Sequence, residues 1–256
     1  MKKSGLVLLF AIAAVITAGE LMADPQAGDA RSFDDLEFVW VPSGTFQMGC
    51  EASRECFDHE QPAHAVTLSG FWLARTEVTQ GQWKKVMGAN PSRYADCGDN
   101  CPVESVSWDD VQTFIKKLND RGDGKYRMPT EAEWEYACRS GGQAEKYAGG
   151  NEVGTVAWYH DQDRDGTTHP VGMKAANGLG LSDMSGNVWE WVQDQQGNYS
   201  SAAQTNPVND SVNGIYRVGR GGFWSDYARG VRCTDRDFFA AGMRFHGVGA
   251  RLARNP

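Results

Sequence analysis

Arg127-Met128-Pro129-Thr130-Glu131-Ala132-Glu133-Trp134-Glu135-Tyr136-Ala137-Cys138 is the stretch whose reading decides the fold. Thr130 and Glu133 stand three apart, just after Pro129, and form a capping box that opens a helix. Trp134 and Ala137 are expected to face inward from it. Such a cap contributes about 1 kcal/mol. Upstream, Thr79 with Gln82 opens a short helix carrying Trp83, Val86 and Met87. Ser107 opens another, with Val111, Phe114, Ile115 and Leu118 at helical spacing.

Strands precede these helices. Phe38-Val39-Trp40-Val41-Pro42 reads as extended and is followed by Gly44-Thr45-Phe46-Gln47-Met48-Gly49. Ala65–Leu68 and Phe71–Leu73 alternate like a strand pair around Ser69-Gly70. After Cys138 the chain turns glycine-rich and irregular. No tandem repeat and no internal linker interrupts residues 38–254, which read as one domain. Residues 24–37 read as a flexible N-terminal segment. Residues 1–23 read as an export signal: Lys2 and Lys3 begin it, an apolar run from Leu6 to Ala18 follows, and Leu21-Met22-Ala23 offers a cleavage point. That run is short for a membrane span. An uncleaved anchor is the alternative; the expectation is a soluble protein exported to the periplasm or secreted.

The formal net charge of the 256-residue chain is -8, which argues against a nucleic-acid partner, since that needs a basic footprint. Nine Trp and eleven Phe supply core material, and thirty Gly point to a loop-rich fold. The six cysteines are Cys50, Cys56, Cys97, Cys101, Cys138 and Cys233. An even count in an exported chain suggests disulfides. Cys50 with Cys56, and Cys97 with Cys101, are close enough to close small loops. Zinc at Cys97-x-x-x-Cys101 is the competing reading, without a second close ligand pair.

A series of motifs runs through the chain in order. Phe38–Gly49 is followed by Glu60-x-Pro62-x-His64-x-Val66, then Glu77-Val78-Thr79-Gln80 with Trp83. Pro102-Val103, Val106-Ser107-Trp108 and Arg127–Ala137 come next. Asn177-Gly178-Leu179-Gly180-Leu181, Gly186-Asn187-Val188-Trp189-Glu190-Trp191, Arg220-Gly221-Gly222 and Gly249-x-Arg251-Leu252 complete it. On these residues the chain resembles the formylglycine-generating enzyme family, the sulfatase-modifying factors. The resemblance implies an α+β fold, loop-rich with little regular secondary structure and related to C-type lectins. It also implies a Cys138–Cys233 bond.

The oxidase of that family holds copper on two cysteine thiolates, as soft Cu(I) prefers. The equivalent positions fall near Asp226 and at Ala228, within Arg220–Arg229, where no cysteine stands. Copper is therefore not expected, and no catalytic residue is assigned. The related three-histidine iron branch finds no motif among five His. Calcium is expected instead. The resemblance assigns Asp183 and Glu190 as side-chain ligands and Gly186 and Val188 as carbonyl ligands, a hard-oxygen set. Asp161-Gln162-Asp163-Arg164-Asp165-Gly166 looks like the start of an EF-hand, with Asp165 as a weak ligand, but Gly172 stands where the closing Glu is due. A solvated acidic loop is the equal alternative. His59-Glu60 with His64 does not make a zinc-protease helix, because the spacing is one residue too long and Pro62 interrupts. No nucleophile elbow or phosphate loop is present.

From Val218 to Arg254 frame residues alternate with others. Phe223, Ser225, Asp226, Tyr227, Asp237, Phe238, Phe239, Phe245 and His246 are the candidate ligand-binding residues. The pattern resembles variable proteins of diversity-generating retroelements, and this mixture suits an adaptable binding face. The alternative is that Phe238, Phe239 and Phe245 are buried core. The expected function is binding of a protein, peptide or small ligand; the alternative is an oxidoreductase of the same family with an altered site.

Overall fold

Thr79, Ser107 and Thr130 each accept a hydrogen bond from the N–H three residues on, and Gln82, Asp110 and Glu133 return it, in a computed structural model of the chain. The structure describes residues 24–51, 56–122, 124–161, 166–210 and 214–256. The export segment expected at 1–23 lies outside the described residues. The three boxes open α1 (Gln80–Met87), α2 (Trp108–Asn119) and α3 (Glu131–Cys138). A single turn, α4 (Val153–Val156), follows in the irregular half.

Three small sheets surround these helices, giving the expected α+β, loop-rich class. The first joins β1 (Ala30–Phe33), β2 (Leu36–Val41), β5 (Phe71–Ala74), β12 (Ala253–Arg254) and β6 (Tyr126–Arg127), in that order and all antiparallel. The second runs β10 (Arg236–Ala240), β9 (Tyr216–Arg220), β7 (Trp189–Gln195), β11 (Val248–Ala250), with β11 parallel to β7. The third holds β3 (Gly44–Met48), β4 (His64–Leu68) and β8 (Gln204–Thr205).

Two local expectations are corrected. The segment 24–37 is not a flexible lead-in throughout, because β1 pairs with β2 and Phe33 packs edge-on to Phe38 and Trp72 at 5.7 and 5.6 Å. β4 and β5 are strands but not partners: β4 pairs with β3, and β5 with β2. All four residues of β5 are buried, so it is a sheet interior rather than half of an exposed hairpin.

One core lies against α3, where Trp134 is fully buried; a second lies between α1, α2 and the first sheet, where Trp83 stacks on Phe114 at 4.8 Å. Among the described residues, no helix is long and apolar enough to cross a membrane.

Charge, not only apolar packing, joins the halves of the chain. Arg236 and Arg220 sit directly opposite each other on β10 and β9. Glu131 and Glu135, one helical turn apart on α3, meet them: Arg236 bonds Glu131 at 2.6 and 2.8 Å, and Arg220 bonds Glu135. Arg232 grips Glu60 at 2.5 and 2.8 Å, and Arg251 grips Glu190 at 2.7 and 2.9 Å. All eight side chains are buried. Burial opposes ionisation of Glu60, but hydrogen bonds from Arg232, Thr234 and the Phe57 N–H together hold its carboxyl below the ordinary value.

The three expected disulfides are all present: Cys50–Cys56, Cys97–Cys101 and Cys138–Cys233. The last ties the end of α3 to the C-terminal segment across a separation of 95 residues, a closure of the size that stabilises by on the order of 4 kcal/mol. Denatured, unreduced protein should give no free thiol in a thiol assay. Arg220→Ala leaves the buried Glu135 carboxylate with only Arg139 and the Gly49 N–H and also empties a buried guanidinium site, and should cost about 3 kcal/mol in urea unfolding. A loss below about 1 kcal/mol would remove that pair from the structure's essential contacts.

Candidate functional site

The site grows from two glycines at the end of β9. Gly221 and Gly222 have φ of 96° and 74°. A side-chain carbon on Gly222 would stand 2.5 Å from the Gly230 carbonyl oxygen, so only glycine lets the two strands of this loop close. The chain then turns. The Asp226 carboxylate accepts the Phe223 N–H at 3.1 Å, and the Asp226 N–H donates to the Phe223 carbonyl at 2.9 Å. The Trp224 N–H donates to the Asn187 carbonyl, and the His160 N–H to the Asp226 carbonyl.

This turn lifts a set of rings into contact. Phe223 meets Trp224 and Phe245 at 5.4 and 5.5 Å, Phe245 meets His246 at 4.3 Å, and Tyr94 touches Trp224 and His246 at 5.9 and 5.7 Å. All five are half-buried. Gly247 permits the closure, since a side-chain carbon there would lie 2.4 Å from the Phe223 ring. Burial and the nearby Arg93 push the His246 imidazole below its ordinary value, against Glu104. Two indole N–H groups of this region, on Trp158 and Trp224, are buried without an acceptor. An orphaned buried donor is costly, and an acceptor on a ligand would satisfy it.

The nine candidate residues do not form one face. Phe223, Phe245 and His246 share the ring cluster, with half-buried Ser225 in the turn beside it. Tyr227 stands on an adjoining rim, 65% exposed, with its ring 4.5 Å from His160. Phe238 and Phe239 point to opposite sides of β10, as strand geometry requires. Phe239 packs on Trp189 and Trp191 and closes the core; Phe238 lies against His59 and the Arg236 guanidinium. Asp237, just before them on β10, is exposed and accepts the Phe238 N–H.

Sequence reading missed Tyr94, Trp158 and His160. Tyr94 is held because its N–H donates to Glu104 at 2.7 Å and its carbonyl accepts from Gln80, beside the Cys97–Cys101 loop. An aromatic next to a small disulfide loop was the available signal.

The expected metal loop has a different internal economy from the one its motif suggests. Both Glu190 oxygens are taken: Arg251 donates to each and the Trp134 indole donates to one at 2.7 Å. Glu190 as it stands is an arginine partner, not a spare ligand. Asp183 does fit a cation. It sits in the left-handed region at φ 60°; one oxygen accepts the Gly172 N–H at 2.6 Å, and the other is buried with no partner. Glu77 lies nearby, accepting from Asn187 and the Val188 N–H. Burial first, then Asp183 and Glu190, push the Glu77 carboxyl well above its ordinary value, against Arg251 and Asn187. Three buried carboxyls thus share one guanidinium. Gly186 and Val188 stand in the turn between Asp183 and Glu190, and Gly186 presses so close to the Trp158 carbonyl that no side chain fits. Asp165 lies outside the described residues. His59, Glu60 and Asp235 converge elsewhere, but Arg232 occupies Glu60.

All six cysteines are half-cystines. Burial pushes the Asp226 carboxyl up to about 7, with Asp235 and Asp237 adding to it and the Phe223 N–H opposing.

A family model described as sulfatase-modifying factor enzyme 1-like domain matches residues 25–256. The chain is 32% identical to a chaperone protein, LppX, of Paenibacillus barcinonensis, covering 85% of this chain and 87% of that protein. It is 27% identical to the formylglycine-generating enzyme of Mus musculus, covering 78% and 70%. Among solved structures, Treponema denticola variable protein 1 superposes with a TM-score of 0.78 at 27% identity, covering 89% of this chain and 99% of that one. PvdO from Pseudomonas aeruginosa superposes at 0.77 with 27% identity, covering 91% and 100%.

Asp226 sets a pH dependence. Its folded-state value of about 7 exceeds the ordinary 3.8, so its contribution to stability is complete below about pH 4 and is lost as pH rises through 7. Asp226→Asn keeps an acceptor for the Phe223 N–H and removes the charge. Its melting temperature should fall less than that of the parent protein between pH 4 and 8, leaving it more stable at pH 8 by on the order of 1–2 kcal/mol. Parallel melting curves across that range would show the opposite.

Proposed function

This chain belongs to the sulfatase-modifying factor enzyme 1-like family, and on that premise we propose that it is an exported binding member which has set aside copper oxidase chemistry. Its working surface is the ring cluster of Phe223, Trp224, Phe245, His246 and Tyr94, with Tyr227 and His160 on the rim. One observation carries this reading: every cysteine is tied up in a disulfide, and the segment where the family resemblance leads one to expect copper thiolates is an aspartate-capped turn beside half-buried rings. Two acceptor-less indole donors favour a ligand bearing carbonyl or carboxylate oxygens, such as a peptide. LppX, whose name describes a chaperone, is a relative compatible with handling another protein. Three disulfides favour an oxidising compartment outside the cytosol.

A second reading has one observation behind it. Asp226, half-buried with its carboxyl pushed up to about 7, is suited to accept or donate a proton, and several relatives are formylglycine-generating enzymes. The two readings separate experimentally. Incubated with Cu(I), oxygen and cysteine-containing peptides, the protein should form no aldehyde. Peptides selected on it should bind at least tenfold more weakly to Trp224→Ala and His246→Ala, with melting temperatures kept. Aldehyde formation, or binding indifferent to both changes, refutes the binding reading.

Calcium belongs to the proposal as a structural ion held by Asp183, with carbonyls of the Gly186–Val188 turn. When bound it supplies positive charge to a nest of three buried carboxyls. Millimolar Ca²⁺ should raise the melting temperature over that in chelator. Asp183→Asn should abolish the rise. Glu190→Gln should lower stability with or without the ion, because it breaks the Arg251 pair. An unmodified protein insensitive to Ca²⁺ removes the ion from the account.

A further inference from the structure

A cavity of about 360 Å³ opens where the start of α3 meets the chain after β7. It lies apart from the ring cluster and shares no residue with it. Its polar wall includes Glu131, Asp194, Arg236 and Tyr199; Met48 and Val208 offer apolar surface.

The charges of this wall are unequally satisfied. Arg236 spends four of its five N–H donors within the protein: it bonds both oxygens of Glu131 and the carbonyls of His59 and Gly197, and its guanidinium carbon lies 4.1 Å from the centre of the Tyr199 ring. Glu131 also accepts the Tyr199 hydroxyl at 3.1 Å. Asp194 is different. Its oxygens accept two backbone N–H groups, from Glu131 at 2.7 Å and from Asn209 at 2.8 Å, and no cation is bonded to it. A carboxylate has about four acceptor directions, so two remain. The wall therefore offers a buried carboxyl with spare acceptors, beside an arginine whose charge is already paired with Glu131. An anionic ligand would meet two carboxyls and a committed arginine; a cationic one would meet its counter-charge.

We infer that this cavity binds a primary ammonium group on a short alkyl stem, with Asp194 as its counter-ion and Met48 and Val208 against the stem. Lysine side chains and free alkyl amines share this chemistry. Burial, and then Glu131, hold the Asp194 carboxyl at about 7, against the two N–H groups and Arg236. The other charged or titratable groups around it are Tyr199, whose hydroxyl is committed to Glu131, His64, whose Nδ1–H donates to the Pro62 carbonyl, and Arg217 on β9, which feels the Asp194 charge but bonds the Gln193 carbonyl and lies over the Trp108 ring. An arriving ammonium should therefore expel a proton from Asp194 at mildly acid pH.

The test is titration calorimetry of the full chain with n-butylammonium and with Nα-acetyl-lysine methylamide. 1-Butanol and the Nε-acetylated lysine derivative serve as neutral counterparts. Saturable binding of the cations and none of the neutral compounds is expected. At pH 6 the heat should depend on the buffer's ionisation enthalpy, reporting proton release; at pH 8.5 that dependence should vanish. Asp194→Asn should weaken binding at least tenfold and remove the proton release. Should that variant fail to fold, Val208→Trp, which fills the mouth, should weaken binding in its place. Butylammonium binding without binding of the lysine derivative assigns the site to free amines, and the reverse assigns it to a lysine of a partner. No cation binding, equal binding of the neutral compounds, or binding undiminished in a folded variant overturns the inference.

Discussion

The structure depends on a two-by-two contact between charged residues. Glu131 and Glu135 lie one turn apart on α3, and Arg236 and Arg220 face each other across β10 and β9. The spacing of a helical turn matches the spacing of adjacent strands closely enough for both guanidiniums to find their carboxylates. Glu60–Arg232 and Glu190–Arg251 repeat the arrangement at the early loop and at β7. Against well-packed apolar residues such pairs add little stability, because burying each charge is costly. Their effect is on register. A loop docked one residue out of place leaves a buried charge alone, at about 3–5 kcal/mol. In a fold with so little regular structure, that penalty defines which loop goes where.

The same anchoring explains how the C-terminal segment can carry rings on its surface. Arg220, Arg232, Arg236 and Arg251 are buried, and Cys233 is bonded to Cys138. Some residues between these anchors, such as Phe239 and Val248, still belong to the core, and others are excused from holding the fold. Phe223 to Tyr227 form one such excursion, turned outward by Gly221-Gly222 and closed by Asp226. Phe245 and His246 form another. The two excursions meet because Gly247 lets the Phe223 ring approach. A rigid charged frame and a replaceable aromatic surface thus coexist within one short stretch.

What the sequence made legible follows from how local each signal is. Capping boxes are complete within four residues, so all three helix starts were readable. Strands were readable but their partners were not: β4 and β5 adjoin in sequence yet belong to different sheets, since pairing is settled by distant segments. The glutamates of α3 were readable as helix-start acids, but nothing nearby names a partner some ninety residues on. The candidate binding face was overextended for a reason the sequence did contain. Phe238 and Phe239 are neighbours in a strand, and neighbours in a strand face opposite ways. The motif around Glu190 fits an oxygen-rich loop, but only the fold shows Arg251 already holding that carboxylate.

A division among the buried acids emerges from this. Glu60, Glu131, Glu135 and Glu190 each bond an arginine and belong to the frame. Asp183, Asp194 and Asp226 have no guanidinium bonded to them, and burial pushes all three carboxyls upward. A frame built only for stability would have paired or replaced them, because an isolated buried carboxyl is unfavourable when ionised. Each instead borders a place where something else can enter: the glycine turn at Asp183, the cavity at Asp194, the ring cluster at Asp226. The acids that hold this fold together and the acids that leave it open to ligands are therefore separated by their partners, and Glu77, which bonds Asn187 and the Val188 N–H beside Asp183, falls with the second group.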